Sequence, residues 1–423
     1  MHSIVVSPGI LKGSVSVPPS KSAAHRAIIC ASLSKGKSLI RPIALSNDIQ
    51  ATIECMRSLG AELDINGDTL TVDGTNIFSG KNNVLDCGES GSTLRFLIPT
   101  AAAGGMNVHF VGHGKLPERP IGVYTDCLPK NGVNVVTEGG LPLEINGKLK
   151  SGLFEIPGNI SSQFITGLLL ALPLLDGDSE IRLTSAAQSV GYIRMTTDIM
   201  SEFGVNVTQT ETGWIIHGGQ NYRPRNFTVE GDWSQAAFFM TAAALGSDIT
   251  IDNLSTNSAQ GDKECVDIYR RFGADIREEN GKIIMHSGKL RGININAENI
   301  PDMVPALAVT AAFAEGRTVI TGAARLRIKE CDRLAAMRDG LNRLGASVAE
   351  TADGLIIDGK DTLDGGFVLG YNDHRIVMSL STASVRCKDK ITVTDMESVN
   401  KSYPSFFEDF RKLGGKADVI MGE

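Results

Sequence analysis

The feature that most constrains this chain is a helix end that returns six times along its 423 residues. In five copies a bulky apolar residue stands before a glycine, and in every copy an alternating strand follows. Glycine suits the C-terminal cap of a helix, where a positive φ is needed. Successive copies lie 69 or 72 residues apart, which predicts six structural repeats; the glycines are Gly60, Gly132, Gly204, Gly273, Gly345 and Gly414.

Each period also contains an alanine-rich segment that is apolar on nearly every side. Such a segment predicts a helix in the interior of a domain, because it has no polar face to turn toward water. An apolar strand follows each segment, so one repeat has the expected order β-α-β-α-β-β. The six segments are residues 23–36, 92–104, 162–177, 234–246, 303–316 and 374–385.

Six repeats of this size predict an α/β (α+β) chain with two domains of three repeats each, and with buried helices at their centres. The natural break lies near residues 223–226, which read Arg-Pro-Arg-Asn. The Pro18-Pro19 pair is a second candidate boundary, if the first strand pairs with the later half of the chain.

The residues that precede the six buried helices are rich in hydroxyls, glycines and cations. At the first helix, Ser20 or Ser22 can serve as the cap, Lys21 stands at the start, and Arg26 shares a face with Ser22. A helix N-terminus of this kind is an anion site, although a capped surface helix would look similar. Because equivalent ends of equivalent repeats face the same way, we expect three positive helix ends to converge in each domain, and two facing domains to form an anion-attracting cleft.

Cations outside these helices fit such a cleft. Arg119 lies in a proline-bounded loop, and Lys401 stands just before Tyr403. Residues 325–329 alternate cationic and apolar side chains, as expected of one strand face, whereas Lys329 and Arg333 are four apart, as expected of one helical face. Arginine holds a carboxylate or phosphate through two parallel N–H groups, and lysine acts as a point charge. Taken singly, each cation is also compatible with a solvated surface charge.

Charge and composition exclude several classes of protein. The net charge of −7 argues against a nucleic-acid or membrane-surface partner. The longest apolar stretch, residues 164–175, is too short to span a bilayer. The first residues lack the pattern of a signal peptide, and the seven cysteines lie far apart without a CxxC pair. We therefore expect a cytoplasmic protein with reduced thiols.

At this point the motifs match a known family. The chain resembles the 5-enolpyruvylshikimate-3-phosphate synthase family of enolpyruvyl transferases essentially from end to end. The matching motifs are Pro-Ser-Lys-Ser at 19–22 with Arg26, the segment 88–95, Glu-Arg-Pro-Ile-Gly at 118–122, Ser-Ser-Gln-Phe at 161–164, Val-Glu-Gly-Asp at 229–232, Lys-Glu at 329–330 with Asp-Arg at 332–333, and Asp-His-Arg at 373–375.

The resemblance implies a fold and a reaction. The fold is a two-domain inside-out α/β barrel of six βαβαββ repeats, with residues 20–225 in the first domain and residues 1–19 plus 226–423 in the second. The reaction transfers the enolpyruvyl group of phosphoenolpyruvate to the 5-hydroxyl of shikimate 3-phosphate and releases phosphate. The family uses no metal or organic cofactor, and we expect a monomer with small-molecule substrates only.

The resemblance also implies roles for individual residues. Asp302 would accept the proton of the 5-hydroxyl, and Glu330 and Lys21 would assist proton transfer at the methylene carbon. Shikimate 3-phosphate would be held by Lys21, Ser22, Arg26, Ser161, Ser162, Gln163, Ser189, Asp302 and Lys329. Phosphoenolpyruvate would be held by Lys21, Gly91, Arg119, Gln163, Arg333, Arg375 and Lys401. These residue types suit the reaction. Both substrates are polyanions that repel each other, so many fixed cations are needed to hold them together.

Two alternatives remain. An enzyme that adds enolpyruvate to UDP-N-acetylglucosamine would share the fold but carries a cysteine in the loop before its Arg-Pro pair, and here residues 112–119 contain none. A non-catalytic protein that binds phosphate or RNA ends is disfavoured by the acidic charge and by only two tryptophans and six tyrosines. Release of phosphate from phosphoenolpyruvate that depends on shikimate 3-phosphate would separate the three.

Overall fold

The computed structural model describes residues 2–421. The chain divides into two compact units: the first unit is Pro19–Val229, and the second unit is Met1–Pro18 with Glu230–Glu423. The sequence placed a break before residue 226. Strand Asn226–Thr228 instead pairs in parallel with Lys37–Arg41 within the first unit, and its backbone hydrogen bonds keep it there.

Within the described residues the chain forms 24 strands and 12 α-helices. The strands are β1 (His2–Val6), β2 (Lys12–Ser16), β3 (Lys37–Arg41), β4 (Glu62–Asn66), β5 (Thr69–Asp73), β6 (Val84–Asp86), β7 (Val108–Val111), β8 (Asn134–Thr137), β9 (Leu143–Asn146), β10 (Leu153–Ile156), β11 (Ser179–Leu183), β12 (Thr208–Gln209), β13 (Gly213–Ile216), β14 (Asn226–Thr228), β15 (Asp248–Asp252), β16 (Asp275–Glu279), β17 (Lys282–His286), β18 (Asn294–Asn296), β19 (Arg317–Thr321), β20 (Ser347–Glu350), β21 (Leu355–Asp358), β22 (Gly366–Val368), β23 (Ile391–Val393) and β24 (Ala417–Met421). The helices are α1 (Lys21–Ser32), α2 (Asn47–Ser58), α3 (Gly91–Ala103), α4 (Gly122–Cys127), α5 (Ser162–Ala171), α6 (Val190–Glu202), α7 (Trp233–Ala244), α8 (Cys265–Phe272), α9 (Val304–Ala312), α10 (Arg333–Arg343), α11 (His374–Thr382) and α12 (Phe406–Lys412).

The strands of residues 2–421 form six four-stranded sheets with one shared topology. In the sheet β6-β7-β9-β8, β7 is parallel to β6 and antiparallel to β9, and β8 pairs antiparallel with β9. The other five sheets repeat this pattern of one parallel and two antiparallel pairs. The βαβαββ repeat predicted from the glycine spacing is therefore confirmed.

The ends of the chain complete sheets that begin far away in sequence. Strand β1 lies between β23 and β24, and β2 pairs in parallel with β15. The first two strands therefore pair with the later half of the chain.

The alanine-rich helices form the interior of each unit. All twelve residues of α7 and all nine of α9 are buried, as expected for helices that are apolar on every side. Each unit has its own apolar core and is an inside-out α/β barrel, with sheets outside buried helices. Several helices end earlier than predicted; α5 stops at Ala171, and a 3-10 helix over Leu172–Leu174 replaces its expected last turns around Pro173.

The six repeat glycines all have a positive φ, between 82° and 113°, as a helix C-cap requires. No helix of the described region is both long and apolar enough to cross a membrane.

Candidate active site

Helix α1 begins at a capped and charged end. The Ser20 hydroxyl accepts a hydrogen bond from the backbone N–H of Ala23, so Ser20 is the N-cap. Lys21 is the first helical residue, and its Nζ donates to Asp48 Oδ2 at 2.6 Å. Asp48 is 8% exposed and lies in the first turn of α2. The carboxylate therefore fixes one N–H direction of the Lys21 ammonium.

Arg26 lies further along α1 and is buried. Its guanidinium donates to the Thr196 hydroxyl at 2.7 Å and to the carbonyl oxygens of Ser22 at 2.6 Å and Tyr192 at 3.2 Å. It also lies 5.1 Å from the centre of the Phe96 ring. Burial lowers the pKa of Arg26 to about 10, because removal from water penalises the charged form. These partners are neutral, so they orient the cation without cancelling its charge.

Helix α3 opens beside the guanidinium of Arg119. A Cβ added to Gly91 would lie 2.6 Å from Arg119 Nη1, which is closer than real Cβ contacts. Arg119 itself is only 7% exposed. The absence of a side chain at position 91 therefore leaves room for the Arg119 guanidinium.

Gln163 joins the starts of two helices. Its Oε1 accepts from Arg95 Nη1 at 2.6 Å, and its Nε2 donates to Ser92 Oγ at 2.9 Å, so the amide orientation is fixed from α3. Its own backbone N–H donates to Ser161 Oγ at 3.3 Å, which caps α5. The structure thus brings Gln163 to the start of α3, with Ser161 bonded to its backbone.

The two remaining serines of the predicted set lie near the same helices. Ser162 is the first residue of α5 and is 7% exposed. Ser189 directly precedes α6 with a left-handed φ of 54°, an uncommon backbone for a residue other than glycine. Its carbonyl oxygen accepts from the N–H of Tyr192, whose own carbonyl oxygen binds Arg26. Ser189 is therefore two hydrogen bonds away from Arg26.

In the second unit, Asp302 lies among three cations. Its Oδ1 is 2.9 Å from Arg333 Nη1 and 3.5 Å from Lys329 Nζ, and its Oδ2 is 3.4 Å from Arg375 Nη2. Burial alone would raise the pKa of Asp302, but the charges of Arg375, Lys329 and Arg333 hold it well below its usual range. Asp302 is therefore ionised at neutral pH.

Arg333 is the centre of this cluster and is 2% exposed. Its guanidinium reaches Asp373 at 2.7 and 3.2 Å, Glu330 at 2.8 Å and Asp302 at 2.9 Å. Burial alone would lower the pKa of Arg333, but the three carboxylates raise it well above its usual range. A buried guanidinium with fork-like hydrogen bonds of this kind has little freedom to move.

The structure corrects the prediction that Lys329 and Arg333 share a helical face. Asp332 caps α10 by accepting from Ala335 N at 3.1 Å, so the helix begins only at Arg333. The strand expected over residues 325–329 is also wrong, because Ala324–Ile328 is a 3-10 helix and Lys329 follows it with extended backbone. Lys329 and Arg333 still approach the same carboxylate.

Two further predicted cations belong to the same unit. Arg375 is the second residue of α11, and its Nη1 donates to the carbonyl oxygen of Asp302 at 3.0 Å. Lys401 ends a 3-10 helix over Met396–Lys401, and its Nζ donates to the carbonyl oxygen of Asn372 at 2.7 Å. Both are about 5% exposed.

Three charged residues outside the predicted set hold members of it. Asp48 forms an ion pair with Lys21, and Arg95 donates a hydrogen bond to Gln163. Asp373 accepts a hydrogen bond from Arg333. Arg95 and Asp373 lie within two of the matching motifs, residues 88–95 and 373–375, so the sequence could have identified them as site residues. Nothing in the sequence links position 48 to position 21, because the contact depends on how α2 packs against α1.

The fold of the chain is shared by solved structures of known enzymes. The enolpyruvyl transferase NikO from Streptomyces tendae has the same fold, with a TM-score of 0.82 at 18% identity over 100% of this chain and 99% of that one. An EPSP synthase structure from Acinetobacter baumannii matches with a TM-score of 0.83 at 28% identity, and each chain is covered completely.

Sequence comparison narrows this class to one family. Residues 5–410 match EPSP synthase (3-phosphoshikimate 1-carboxyvinyltransferase). A 3-phosphoshikimate 1-carboxyvinyltransferase from Clostridium perfringens is 49% identical with both chains fully covered, and one from Clostridioides difficile is 45% identical over 99% of each. The chain belongs to the EPSP synthase family. The resemblance drawn from the motifs is confirmed, and so is the expectation of a transferase.

Proposed function

We propose that this protein transfers the enolpyruvyl group of phosphoenolpyruvate to the 5-hydroxyl of shikimate 3-phosphate, giving 5-enolpyruvylshikimate 3-phosphate and phosphate. The observation that carries the proposal is the Asp302 cluster: one ionised carboxylate in contact with Lys329, Arg333 and Arg375. Such a cluster joins a proton acceptor to groups that bind a small polyanion. Family membership favours this reaction over the UDP-N-acetylglucosamine and non-catalytic alternatives.

The residues of the first unit suit the phosphate and hydroxyls of shikimate 3-phosphate. The buried Arg26 cation is oriented by neutral oxygens, so its charge is available to a phosphate. Ser161, Ser162 and Ser189 add hydroxyls beside helix starts, where backbone N–H groups also favour an anion. We assign Ser22, Arg26, Ser161, Ser162, Gln163 and Ser189 of this unit to shikimate 3-phosphate, with Lys21 serving both substrates.

Phosphoenolpyruvate carries a carboxylate and a phosphate on three carbons, so it needs several cations at short range. Arg333, Arg375 and Lys401 of the second unit are nearly buried, and each is held by a named oxygen. Arg119 beside Gly91 is equally buried in the first unit. We assign Gly91, Arg119, Gln163, Arg333, Arg375 and Lys401 to phosphoenolpyruvate, together with Lys21.

The reaction is an addition followed by an elimination. The 5-hydroxyl oxygen bonds to C2 of phosphoenolpyruvate, the hydroxyl proton passes to Asp302, and the methylene carbon C3 gains a proton from Glu330 or Lys21. Loss of phosphate from C2 and of a proton from C3 then restores the double bond. Arg333 Nη2 contacts the Glu330 carboxylate at 2.8 Å and so fixes its position; Glu330 can deliver a proton to C3 only in its protonated form, and it takes the proton back in the elimination.

The depressed pKa of Asp302 has a consequence for this role. A carboxylate held ionised by three cations is a weak base. When an anionic substrate binds to Lys329, Arg333 or Arg375, these cations also interact with the substrate. They then stabilise the ionised form of Asp302 less strongly. We expect its pKa to rise at that moment, so that Asp302 accepts a proton only with substrate bound.

The test is release of inorganic phosphate from phosphoenolpyruvate by the purified protein, with shikimate 3-phosphate, with UDP-N-acetylglucosamine, and with neither. We expect release with shikimate 3-phosphate alone, and a new enol ether in the proton NMR spectrum of the product. Release with the nucleotide sugar instead, or no release at all, would contradict the proposal. We further expect a cytoplasmic monomer that uses no metal or organic cofactor and binds no nucleic acid.

A further inference from the structure

The link between β22 and α11 contains two consecutive left-handed residues. Tyr371 has a φ of 53° and Asn372 a φ of 51°. The N–H of Asp373 donates to the carbonyl oxygen of Gly370 at 3.0 Å and closes the turn. Positive φ at both central residues is the geometry of a type I′ turn. Asparagine enters this region readily, but a tyrosine there is unusual, because its Cβ crowds the following carbonyl oxygen.

Backbone of this kind persists only where its surroundings hold it. The Tyr371 hydroxyl donates to Asp339 Oδ2 at 2.9 Å, on helix α10. The N–H of Gly370 donates to Thr394 Oγ1 at 2.9 Å, beyond β23. The turn is thus tied on one side to a helix and on the other to the segment that leads to Lys401.

The left-handed turn aims a carbonyl oxygen at Lys401. Asn372 O accepts from Lys401 Nζ at 2.7 Å, and the lysine is 5% exposed. A right-handed backbone at Asn372 would turn this carbonyl to a different side. A lysine has a flexible four-carbon stem, so a fixed oxygen acceptor restricts where its ammonium lies. The turn therefore supplies a fixed acceptor for the Lys401 ammonium and helps to set its position.

We propose that the left-handed turn at Tyr371–Asn372 is a positioning element for Lys401, and that Tyr371 is a positioning residue that acts through its hydrogen bond to Asp339. The inference rests on the proposed function, in which Lys401 binds phosphoenolpyruvate. It predicts that loosening the turn weakens the use of phosphoenolpyruvate and leaves the use of shikimate 3-phosphate unchanged.

The first test replaces Tyr371 by phenylalanine. Tyr371→Phe removes one hydrogen bond, and we expect KM for phosphoenolpyruvate to rise about fivefold, with KM for shikimate 3-phosphate within about twofold of wild type. The matched control is Tyr222→Phe in the first unit, where the hydroxyl donates to the carbonyl oxygen of Leu170 at 2.9 Å. That control also loses one tyrosine hydroxyl bond, at a buried position in the first unit, and we expect both KM values to stay at wild-type levels.

The second test separates backbone from side chain. Asn372→Ala and Asn372→Gly both lose the side-chain carboxamide, but only glycine, which has no Cβ, adopts a φ of 51° at little cost. We expect KM for phosphoenolpyruvate to be about fivefold higher in the alanine variant than in the glycine variant. Circular dichroism and the unfolding temperature confirm in each case that the variant is folded.

The outcomes are distinct. If wild-type protein releases phosphate but Tyr371→Phe leaves KM for phosphoenolpyruvate unchanged, or if the alanine and glycine variants are equal, the positioning role is wrong. A rise in both KM values together also contradicts it, because a general loss of structure would do the same. If wild-type protein releases no phosphate, the proposed function fails first.

Discussion

Arg26 of the first unit and Arg333 of the second are both buried but are held in opposite ways. In the first unit, Arg26 is bound by hydroxyl and carbonyl oxygens, and burial lowers its pKa to about 10. In the second unit, Arg333 is bound by Asp302, Glu330 and Asp373, and these carboxylates raise its pKa despite its burial. One cation keeps its charge uncompensated, and the other is surrounded by acids.

This difference corresponds to two functions, substrate binding and proton transfer. Neutral partners orient a guanidinium and leave its full charge for a phosphate, which suits binding. Carboxylates among cations can also accept and deliver protons, which suits chemistry, but the cluster must then remain balanced in charge. Four predictions test this difference between the two units, and the first has the largest expected effect.

Replacing the ionised acid should stop the chemistry. For Asp302→Asn we expect kcat to fall by about 10² to 10⁴-fold, the usual contribution of a general base, with binding of shikimate 3-phosphate retained. Steady-state kinetics and calorimetric titration measure the two quantities. Asp358→Asn is the matched control, because Asp358 forms an exposed ion pair with Arg317 at 2.7 Å. Turnover by Asp302→Asn at the wild-type rate would remove Asp302 from its role.

Removing each arginine should cost different amounts of stability. Arg333→Met leaves three carboxylates without their common partner, and we expect a loss of about 3–5 kcal/mol in the free energy of unfolding. Arg26→Met leaves only neutral oxygens, among them the hydroxyls of Thr196 and Thr166, which accept from Arg26 at 2.7 and 3.3 Å and already bond to each other at 2.9 Å, so we expect about 1–2 kcal/mol. Urea unfolding compares the two variants, and equal losses would contradict the contrast.

A methyl group at position 91 should displace Arg119. In Gly91→Ala the new Cβ would lie 2.6 Å from Arg119 Nη1, so the guanidinium must move. We expect KM for phosphoenolpyruvate to rise about 10-fold, since a small misplacement of a binding group is costly. Gly122→Ala is the control, because a Cβ there meets nothing within 4 Å. An unchanged KM for phosphoenolpyruvate in Gly91→Ala would exclude Arg119 from the binding of that substrate.

Acid should destabilise the second unit through Asp302. Its pKa in the folded protein lies well below the value of about 3.9 for an unfolded aspartate, so its contribution to stability is complete above that pH and is lost progressively as the pH falls further. Each unit contains one tryptophan, Trp214 in the first and Trp233 in the second. In Trp214→Phe, fluorescence of Trp233 therefore reports unfolding of the second unit.

The same measurement on Asp302→Asn provides the control. The stability difference between the Trp214→Phe protein and its Asp302→Asn derivative should shrink as the pH falls below about 4. A difference that stays constant down to low pH would show that the carboxylate is not held ionised.

Most of the fold could be predicted from patterns of residues that lie close together in the sequence. The six repeat glycines and the apolar helices were visible because a helix cap and a buried face depend on residues close together in sequence. The predictions of secondary structure were wrong where a local pattern is compatible with more than one element. Residues 325–329 alternate like a strand, yet Ala324–Ile328 is a 3-10 helix, and Asp332 starts α10 later than the spacing of Lys329 and Arg333 suggested.

The sequence alone determined the repeat, the inward helices and the residue types at their starts, since each depends on only a few neighbouring positions. Only the tertiary structure decided which charges meet: Lys21 with Asp48 across 27 residues, Asp302 with Arg333 across 31, and Arg375 with the Asp302 carboxylate across 73. An ion pair forms where packing brings two side chains within a few ångströms, and no local pattern encodes that distance.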